Sequence, residues 1–210
     1  MAYSRRQILS LALAGAAATS TLARAAAPRV DGISGPLSPA LLRRALEALD
    51  KHRDSITHRD FIGIADFSLP SHAPRFHLVN LADGTVRSHL VAHGRGSDPL
   101  HTGWLQRFSN APGSNASSAG AYRTAAPYMG AHGHSIRLAG LDPTNDNAAS
   151  RAIVVHSAWY VSSDTIARFG MLGRSEGCFA VAVASLPEVM TTLGPGRLLY
   201  ADNLNAGTVL

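Results

Sequence analysis

Residues 153–178 read IVVHSAWYVSSDTIARFGMLGRSEGC. The stretch begins with an apolar, β-branched run that ends at His156, which is typical of a buried strand. Ser162 or Ser163 then suits the N-cap of a short helix that reaches Phe169. The stretch ends in a Ser-Glu-Gly-Cys turn, where Gly177 lets the backbone approach Cys178 closely. A strand and a turn therefore present a histidine and a cysteine that are 22 residues apart.

Cys178 is the only cysteine of the chain. An exported protein with one thiol has no partner for an internal disulfide, so the thiol is inert filler, an intermolecular link or a nucleophile. The upstream histidine and the turn favour a nucleophile. Acyl transfer by cysteine needs a base and donors for the oxyanion, which His156 and the amides of Gly177 and Cys178 would supply.

Export itself is predicted from residues 1–25. Arg5 and Arg6 precede a short apolar stretch, and Ala23-Arg24-Ala25 resembles a cleavage site. The adjacent arginines resemble a twin-arginine signal, with an ordinary secretory signal as the alternative. The apolar stretch is too short to span a bilayer. We therefore expect a periplasmic or cell-wall protein with no stable membrane insertion after cleavage.

Composition predicts a globular protein, with 46% hydrophobic and 16% charged residues. The pI of about 10.0 suggests a basic surface. However, three of the 19 basic residues lie in the predicted signal, which leaves 16 against 14 acidic residues and a net charge of +2. The remaining basic residues are scattered, so nucleic acid is not expected as a partner.

The rest of the chain predicts a loose leader over 26–37 and one domain over 38–210, without repeats. Helices are expected at 38–50, 162–169 and 186–193, and strands at 61–67, 75–81, 85–91, 135–141, 152–156 and 197–201. Asp83-Gly84 marks a hairpin, and the Gly/Ser/Asn-rich segment 93–124 reads as a functional or disordered loop. Short strands with few short helices indicate a mainly β sandwich or barrel-like sheet.

Ordered matches across 93–181 carry a resemblance to a known family. They include His93-Gly94-Arg95-Gly96-Ser97, Phe108-Ser109-Asn110, Pro112-Gly113-Ser114-Asn115, His132-Gly133, Arg137-Leu138, Asn145-Asp146, Arg151, Ile153-Val154, His156, Tyr160-Val161, Gly173-Arg174-Ser175 and Gly177-Cys178. This set resembles the murein L,D-transpeptidase (YkuD-like) catalytic domain, whose fold is mainly β.

The resemblance implies roles for five residues. Cys178 matches the nucleophile, His156 the base, and the Ser157 carbonyl the group that orients the imidazole. Ser175 and Gly177 match the turn that presents the sulfur. The common family pattern has His-Gly, then Ser-His-Gly-Cys and an arginine two residues on. Three positions depart from it: Ser157 replaces the glycine, Glu176 the second histidine and Ala180 the arginine.

The resemblance implies a peptidoglycan L,D-transpeptidase that needs no cofactor and acts in wall biogenesis and cell shape. Donor and acceptor stem peptides would be its partners, joined in 3-3 or 1-3 crosslinks through a cysteine thioester. Two alternatives remain: an L,D-carboxypeptidase on the same substrates, and a peptidoglycan-binding module of the same fold without turnover.

Further polar residues are candidates for substrate contacts. Arg174 and Arg137 are suited to stem carboxylates, and Tyr160 and His132 to lining a cleft. His132 and His134, with His93 and His156, also raise the alternative of a zinc site, although no carboxylate has a familiar ligand spacing. A papain-like peptidase is disfavoured because its cysteine precedes its histidine.

Overall fold

The computed structural model describes residue 33 and residues 35–205. Within them lie three α-helices, α1 (Pro39–Lys51), α2 (Ser163–Phe169) and α3 (Leu186–Thr192). Nine strands accompany them: β1 (Phe61–Asp66), β2 (Phe76–Asn80), β3 (Val86–His89), β4 (Val91–Ala92), β5 (Gly120–Gly130), β6 (Gly133–Gly140), β7 (Val154–Ser157), β8 (Phe179–Val181) and β9 (Leu198–Asp202). The predicted signal lies outside the described residues, as do 26–32 and 34 of the predicted leader. Within 33 and 35–205, no helix has the length and apolar character needed to cross a membrane.

All nine described strands belong to one mixed sheet, in the order β3-β2-β1-β9-β5-β6-β7-β8-β4. The two ends of this order, β3 and β4, are separated in sequence only by Leu90. Because one residue cannot bridge the width of a flat sheet, the sheet must curl until its ends meet. The expectation of a mainly β, barrel-like fold with a few short helices is therefore confirmed.

Two large clusters of buried side chains, with a smaller third one around Val161 and Leu172, fill this architecture. One lies within the curled sheet, where Phe67 stacks on Phe179 at 6.1 Å between ring centroids and Tyr122 meets Phe179 edge-on. The other lies between α1 and the sheet, where the predicted apolar face of α1 packs against Ile62 and Ile64. Ile33 and Leu37, from the predicted leader, pack against this second cluster.

The longest strand, β5, was not predicted from the sequence. Its alternation is hidden by small residues and by Pro127, and its first part fell within the predicted loop. A register shift between Thr124 and Pro127 accommodates the proline, since a bulge does not need its missing N–H. This strand and β6 form the long hairpin that extends beside the histidine of the cleft described next.

Candidate active site

His156 and Cys178 come from neighbouring parallel strands. β7 pairs with β8 so that His156 lies opposite Ala180, and Cys178 immediately precedes β8. Residues two apart in a strand project from the same face, so both side chains emerge on one side of the sheet. There they line a cleft of about 670 Å³.

The cleft is built from four segments of the described chain. Its lining residues are Pro112, Gly113, Asn115, His132, Ser150, Arg151, Ala152, His156, Ser157, Ala158, Trp159, Tyr160, Arg174, Ser175, Glu176, Cys178 and Val183. Seven of the nine residues singled out from the sequence line it: Cys178, His132, His156, Ser157, Tyr160, Arg174 and Ser175. Gly177 lies in the turn beside them.

The His156 ring is held by its own backbone. Nδ1 lies 2.9 Å from the Ser157 carbonyl oxygen, so Nδ1–H donates to that carbonyl and the lone pair of the neutral ring is left on Nε2. Burial lowers the pKa of His156, the bond to Ser157 raises it, and the nearby charge of His132 lowers it. The neutral imidazole, which is the form that can accept a proton, is therefore favoured.

The Cys178 thiol is buried and donates to the Ala152 carbonyl at 3.7 Å. Burial raises the pKa of this thiol, while the Val154 amide and the Arg151 charge lower it. Ala152 has φ +53°, a left-handed conformation that is uncommon for alanine. The charge of Glu176 also raises this pKa, so burial and Glu176 favour the uncharged thiol, while Val154 and Arg151 favour the thiolate.

Ser175 closes the turn in front of the cysteine. Its hydroxyl accepts from the Gly177 amide at 3.2 Å and donates to the Cys178 carbonyl at 2.7 Å. The Gly177 amide therefore already donates a hydrogen bond within the turn. The Cys178 backbone amide remains the better candidate of the two predicted oxyanion donors. Gly177 has φ +112°, and a Cβ there would lie 2.7 Å from the Ala116 carbonyl oxygen.

A buried charged network supports the same turn from below. Arg75 is fully buried, donates to His93 Nδ1 at 2.8 Å, and has its pKa lowered to about 9 by burial. His93 Nε2 lies 3.4 Å from the Asp98 carboxylate. The His93 carbonyl accepts from the Ser175 amide at 2.9 Å, so the network is joined directly to the turn.

Arg151 was matched in the sequence but given no role. Its guanidinium donates to the Ala116 and Ser109 carbonyls, which fixes the Gly/Ser/Asn-rich loop beside the cysteine. A Cβ on Gly177 would lie 3.0 Å from Arg151 Nη2, so the guanidinium is close to the turn. The predicted loop is therefore packed here, with Ser117 fully buried. An arginine just before an apolar strand that ends in the histidine was the available signal.

Trp159 was also missed. Its side chain is 79% exposed on the rim of the cleft and meets the Tyr160 ring edge-on at 5.9 Å. A tryptophan three residues after His156 is the sequence signal that would have indicated it. Tyr160 itself lines the cleft as expected, and burial, with the charges of Cys178 and Glu176, raises its pKa to about 12.

The two predicted substrate arginines differ. Arg174 lines the cleft but donates to the Asp98 and Pro99 carbonyls, so part of its donor capacity is used within the protein. Arg137 is not among the cleft residues, because its guanidinium lies over the Tyr128 ring at 3.9 Å from the centroid. The structure thus brings Arg174, and not Arg137, to the cysteine and histidine.

Glu176 is the only carboxylate among the cleft-lining residues, and it pairs with Arg95 at 2.9 Å. The histidines considered for a metal do not gather: His93 is bonded to Arg75 and Asp98, away from the His132–His156 pair. Across residues 33 and 35–205, no three His, Cys, Asp or Glu side chains form a group that could hold a metal ion.

Fold and cleft together define a curled β domain whose neighbouring parallel strands β7 and β8 bring a histidine and a cysteine into one cleft. A family model described as the L,D-transpeptidase catalytic domain matches residues 34–201. The chain therefore belongs to the L,D-transpeptidase catalytic-domain family, as the motif resemblance indicated.

Comparison with individual proteins gives weaker likenesses. No curated protein matches the chain. An L,D-transpeptidase from Mycobacterium smegmatis is 15% identical, with a TM-score of 0.41 over 68% of this chain and 58% of that one. An L,D-transpeptidase from Mycobacterium tuberculosis H37Rv is 15% identical, with a TM-score of 0.40 over 69% and 58%. The K307A mutant of the helical cell shape determining protein Pgp2 from Campylobacter jejuni is 12% identical, with a TM-score of 0.44 over 80% and 57%. The chain thus spans less than three fifths of the length of each of these proteins.

Proposed function

We propose that the protein is a peptidoglycan L,D-transpeptidase that works through a thioester on Cys178, with His156 as its base. The observation that carries this proposal is the pairing of a lone cysteine with an oriented histidine in one cleft. The His156 Nδ1–H is fixed on the Ser157 carbonyl at 2.9 Å, so Nε2 is the basic atom. Membership of the family supports peptidoglycan stem peptides as the substrate class.

The first half-reaction transfers an acyl group to sulfur. Nε2 of His156 takes the thiol proton while Sγ of Cys178 attacks the carbonyl carbon of an L-centred stem residue. The carbon–nitrogen bond to the following D-residue then breaks, and the imidazolium gives its proton to the leaving amine. We assign the oxyanion to the Cys178 amide, since the Gly177 amide is engaged with Ser175.

The second half-reaction forms the crosslink. The amine of a neighbouring stem attacks the thioester carbonyl and gives its proton to His156. The carbon–sulfur bond breaks, and the thiolate recovers the proton from the imidazolium. If water replaces the amine, the same residues act as an L,D-carboxypeptidase. Tyr160 and Arg174 are proposed to form the substrate-binding part of the cleft, and Arg137 has no place in this proposal.

The substrate class supports a location outside the cytoplasm. Peptidoglycan lies beyond the inner membrane, so the enzyme would act in the periplasm or at the wall, with residues 1–25 as its export signal. Whether the crosslink is 3-3 or 1-3 follows from which stem residue donates the acyl group.

The direct test is incubation of purified muropeptides with the wild type and with Cys178→Ala, followed by mass spectrometry. We expect crosslinked dimers only with the wild type. Because acyl transfer requires the sulfur, the variant should lose activity by about a thousandfold or more. Shortened monomers without dimers would indicate the carboxypeptidase instead.

A carbapenem provides the control for turnover. Intact-mass analysis should show one adduct on the wild type and none on Cys178→Ala, since the chain has a single cysteine. Equal crosslinking by both proteins would disprove the assignment of Cys178. Absence of both adduct and products in a folded wild type would favour a binding module without turnover.

A further inference from the structure

The tip of the β5–β6 hairpin lies over the histidine of the cleft. Its turn joins Gly130 to Gly133, and Gly133 adopts φ +78°. Within this turn the His132 ring stacks on the His156 ring, with 4.3 Å between centroids and 21° between planes. His132 is itself exposed, whereas His156 is only 4% exposed. One face of His156 is therefore covered by a side chain that reaches it from another element.

We propose that His132 is a positioning residue that acts through His156: it holds the imidazole plane and shields it from water, so that Nε2 stays directed into the cleft as an uncharged base. This inference rests on the proposed function, in which His156 is the base. It differs from the sequence expectation, which gave His132 a contact with substrate.

Two fixed points are needed to orient a ring. The bond from Nδ1 to the Ser157 carbonyl fixes one edge of His156, but a single hydrogen bond leaves the ring free to tilt about it. Contact with a parallel ring removes that tilt, since stacked rings lose contact area when one of them rotates. The hairpin that carries His132 is stiffened by Arg137, which lies over Tyr128 on the paired strand.

The charges around His156 favour the same result. Burial lowers the pKa of His156, and the nearby His132 lowers it as well, because two adjacent imidazolium ions repel each other. The other titratable or charged side chains lining this cleft are Arg151, Tyr160, Arg174, Glu176 and Cys178. Of all these groups, His132 is the one whose ring is stacked on His156.

The proposal is tested by NMR titration of the His156 ring, which needs no substrate and so stands apart from any failure of the proposed function. The His156→Gln spectrum assigns its resonance among the ten histidines. In His132→Ala the midpoint should move to higher pH, because both the cover and the neighbouring charge are lost. In His132→Phe, which keeps a stacked ring without the charge, the His156 midpoint should rise by less than in His132→Ala.

His134→Ala is the matched control, since His134 is an exposed histidine of the same hairpin. Its His156 titration should coincide with that of the wild type. In the crosslinking assay, kcat/KM of His132→Ala should fall about threefold or more at about pH 5.5, and by a smaller factor at about pH 8, where only the loss of ring positioning acts. His132→Phe should recover most of that loss. An unchanged or lowered midpoint in His132→Ala, or an equal rise in His134→Ala, would overturn the proposal.

Discussion

Burial shifts the pKa values of Cys178 and His156 in opposite directions, and both shifts favour the uncharged form. The pKa of Cys178 is raised and that of His156 is lowered. In agreement with this, the Cys178 thiol donates a hydrogen bond to the Ala152 carbonyl at 3.7 Å. Both shifts disfavour a thiolate–imidazolium pair at rest, so in the proposed mechanism the thiol proton would pass to His156 as the attack begins.

This resting state predicts slow alkylation of Cys178 at neutral pH. The rate of reaction with iodoacetamide should rise with a midpoint above that of the same cysteine in the urea-unfolded chain, since only the thiolate reacts. The single cysteine makes the comparison specific to one site. A midpoint at or below that of the unfolded chain would show that the ion pair is already formed at rest.

At this scale the sequence was most informative about the two proposed reacting groups. A lone cysteine after glycine and a histidine at the end of an apolar run left several alternatives open, and the ordered matches to the L,D-transpeptidase family favoured the nucleophile and its base among them. Arg151 was given no role because its place beside the turn depends on the packing of the loop that carries Ala116, which no local pattern encodes. The position of Arg137 outside the cleft was not predictable for the same reason, because its partner Tyr128 lies across a hairpin that was not predicted.

At the scale of elements, the turn before β8, which contains Gly177, packs between the loop that contains Gly94 and the loop that contains Ala116. A Cβ on Gly94 would lie 2.8 Å from the Gly177 amide nitrogen, and one on Gly177 would lie 2.7 Å from the Ala116 carbonyl oxygen. Backbone thus packs directly on backbone around the cysteine. The position of the sulfur is set by this close approach as much as by the strand that follows it.

Gly177→Ala should therefore damage both stability and activity. The left-handed conformation and the clash together should cost about 2–4 kcal/mol of unfolding free energy. Displacing the sulfur should lower kcat/KM by about a hundredfold. Urea unfolding and the crosslinking assay measure the two effects.

Gly170→Ala is the control, because Gly170 has φ +72° at the end of α2 and nothing lies within 4 Å of a Cβ there. It should cost only about 1–2 kcal/mol and leave kcat/KM unchanged. Equal effects of the two substitutions would mean that backbone conformation alone, and not the packing around Gly177, is responsible.

Helices and most strands followed from the sequence because their signals are local. Ser162 caps α2 through a bond from the Thr165 amide, as expected of a serine before a helix. β5 was not predicted, because its alternation is interrupted by a bulge at Pro127 and the pairing that stabilises it comes from β6 and β9. The ordered conformation of the Gly/Ser/Asn-rich loop also could not be predicted from the sequence, because it depends on distant partners such as Arg151.

At the scale of the whole molecule, the interior holds several histidines that favour the neutral form. Burial, with the charge of Arg75, lowers the pKa of His93 to about 3. Burial also lowers the pKa values of His77, His89 and His156. The unfolded chain binds protons at these sites at a higher pH than the folded protein does. Stability is therefore lost as the pH falls below the ordinary histidine value.

We expect the free energy of unfolding to decrease between about pH 6.5 and about pH 4.5, before most carboxylates titrate. His93 alone should contribute a slope approaching about 1.4 kcal/mol per pH unit. His93→Gln should be less stable at neutral pH yet show a flatter slope. Urea titrations at several pH values measure this, and a constant stability across the interval would contradict it.

The position of β9 has a consequence for how the chain is made. β9 lies between β1 and β5, and it is the last strand of the described sheet to be synthesised. Until Leu198 has emerged, β1 and β5 each have an edge without a neighbour, and such edges pair readily with other chains. Nascent or prematurely terminated molecules are thus exposed to aggregation. We therefore expect the curled sheet to be completed late, after translation has passed almost the entire described domain.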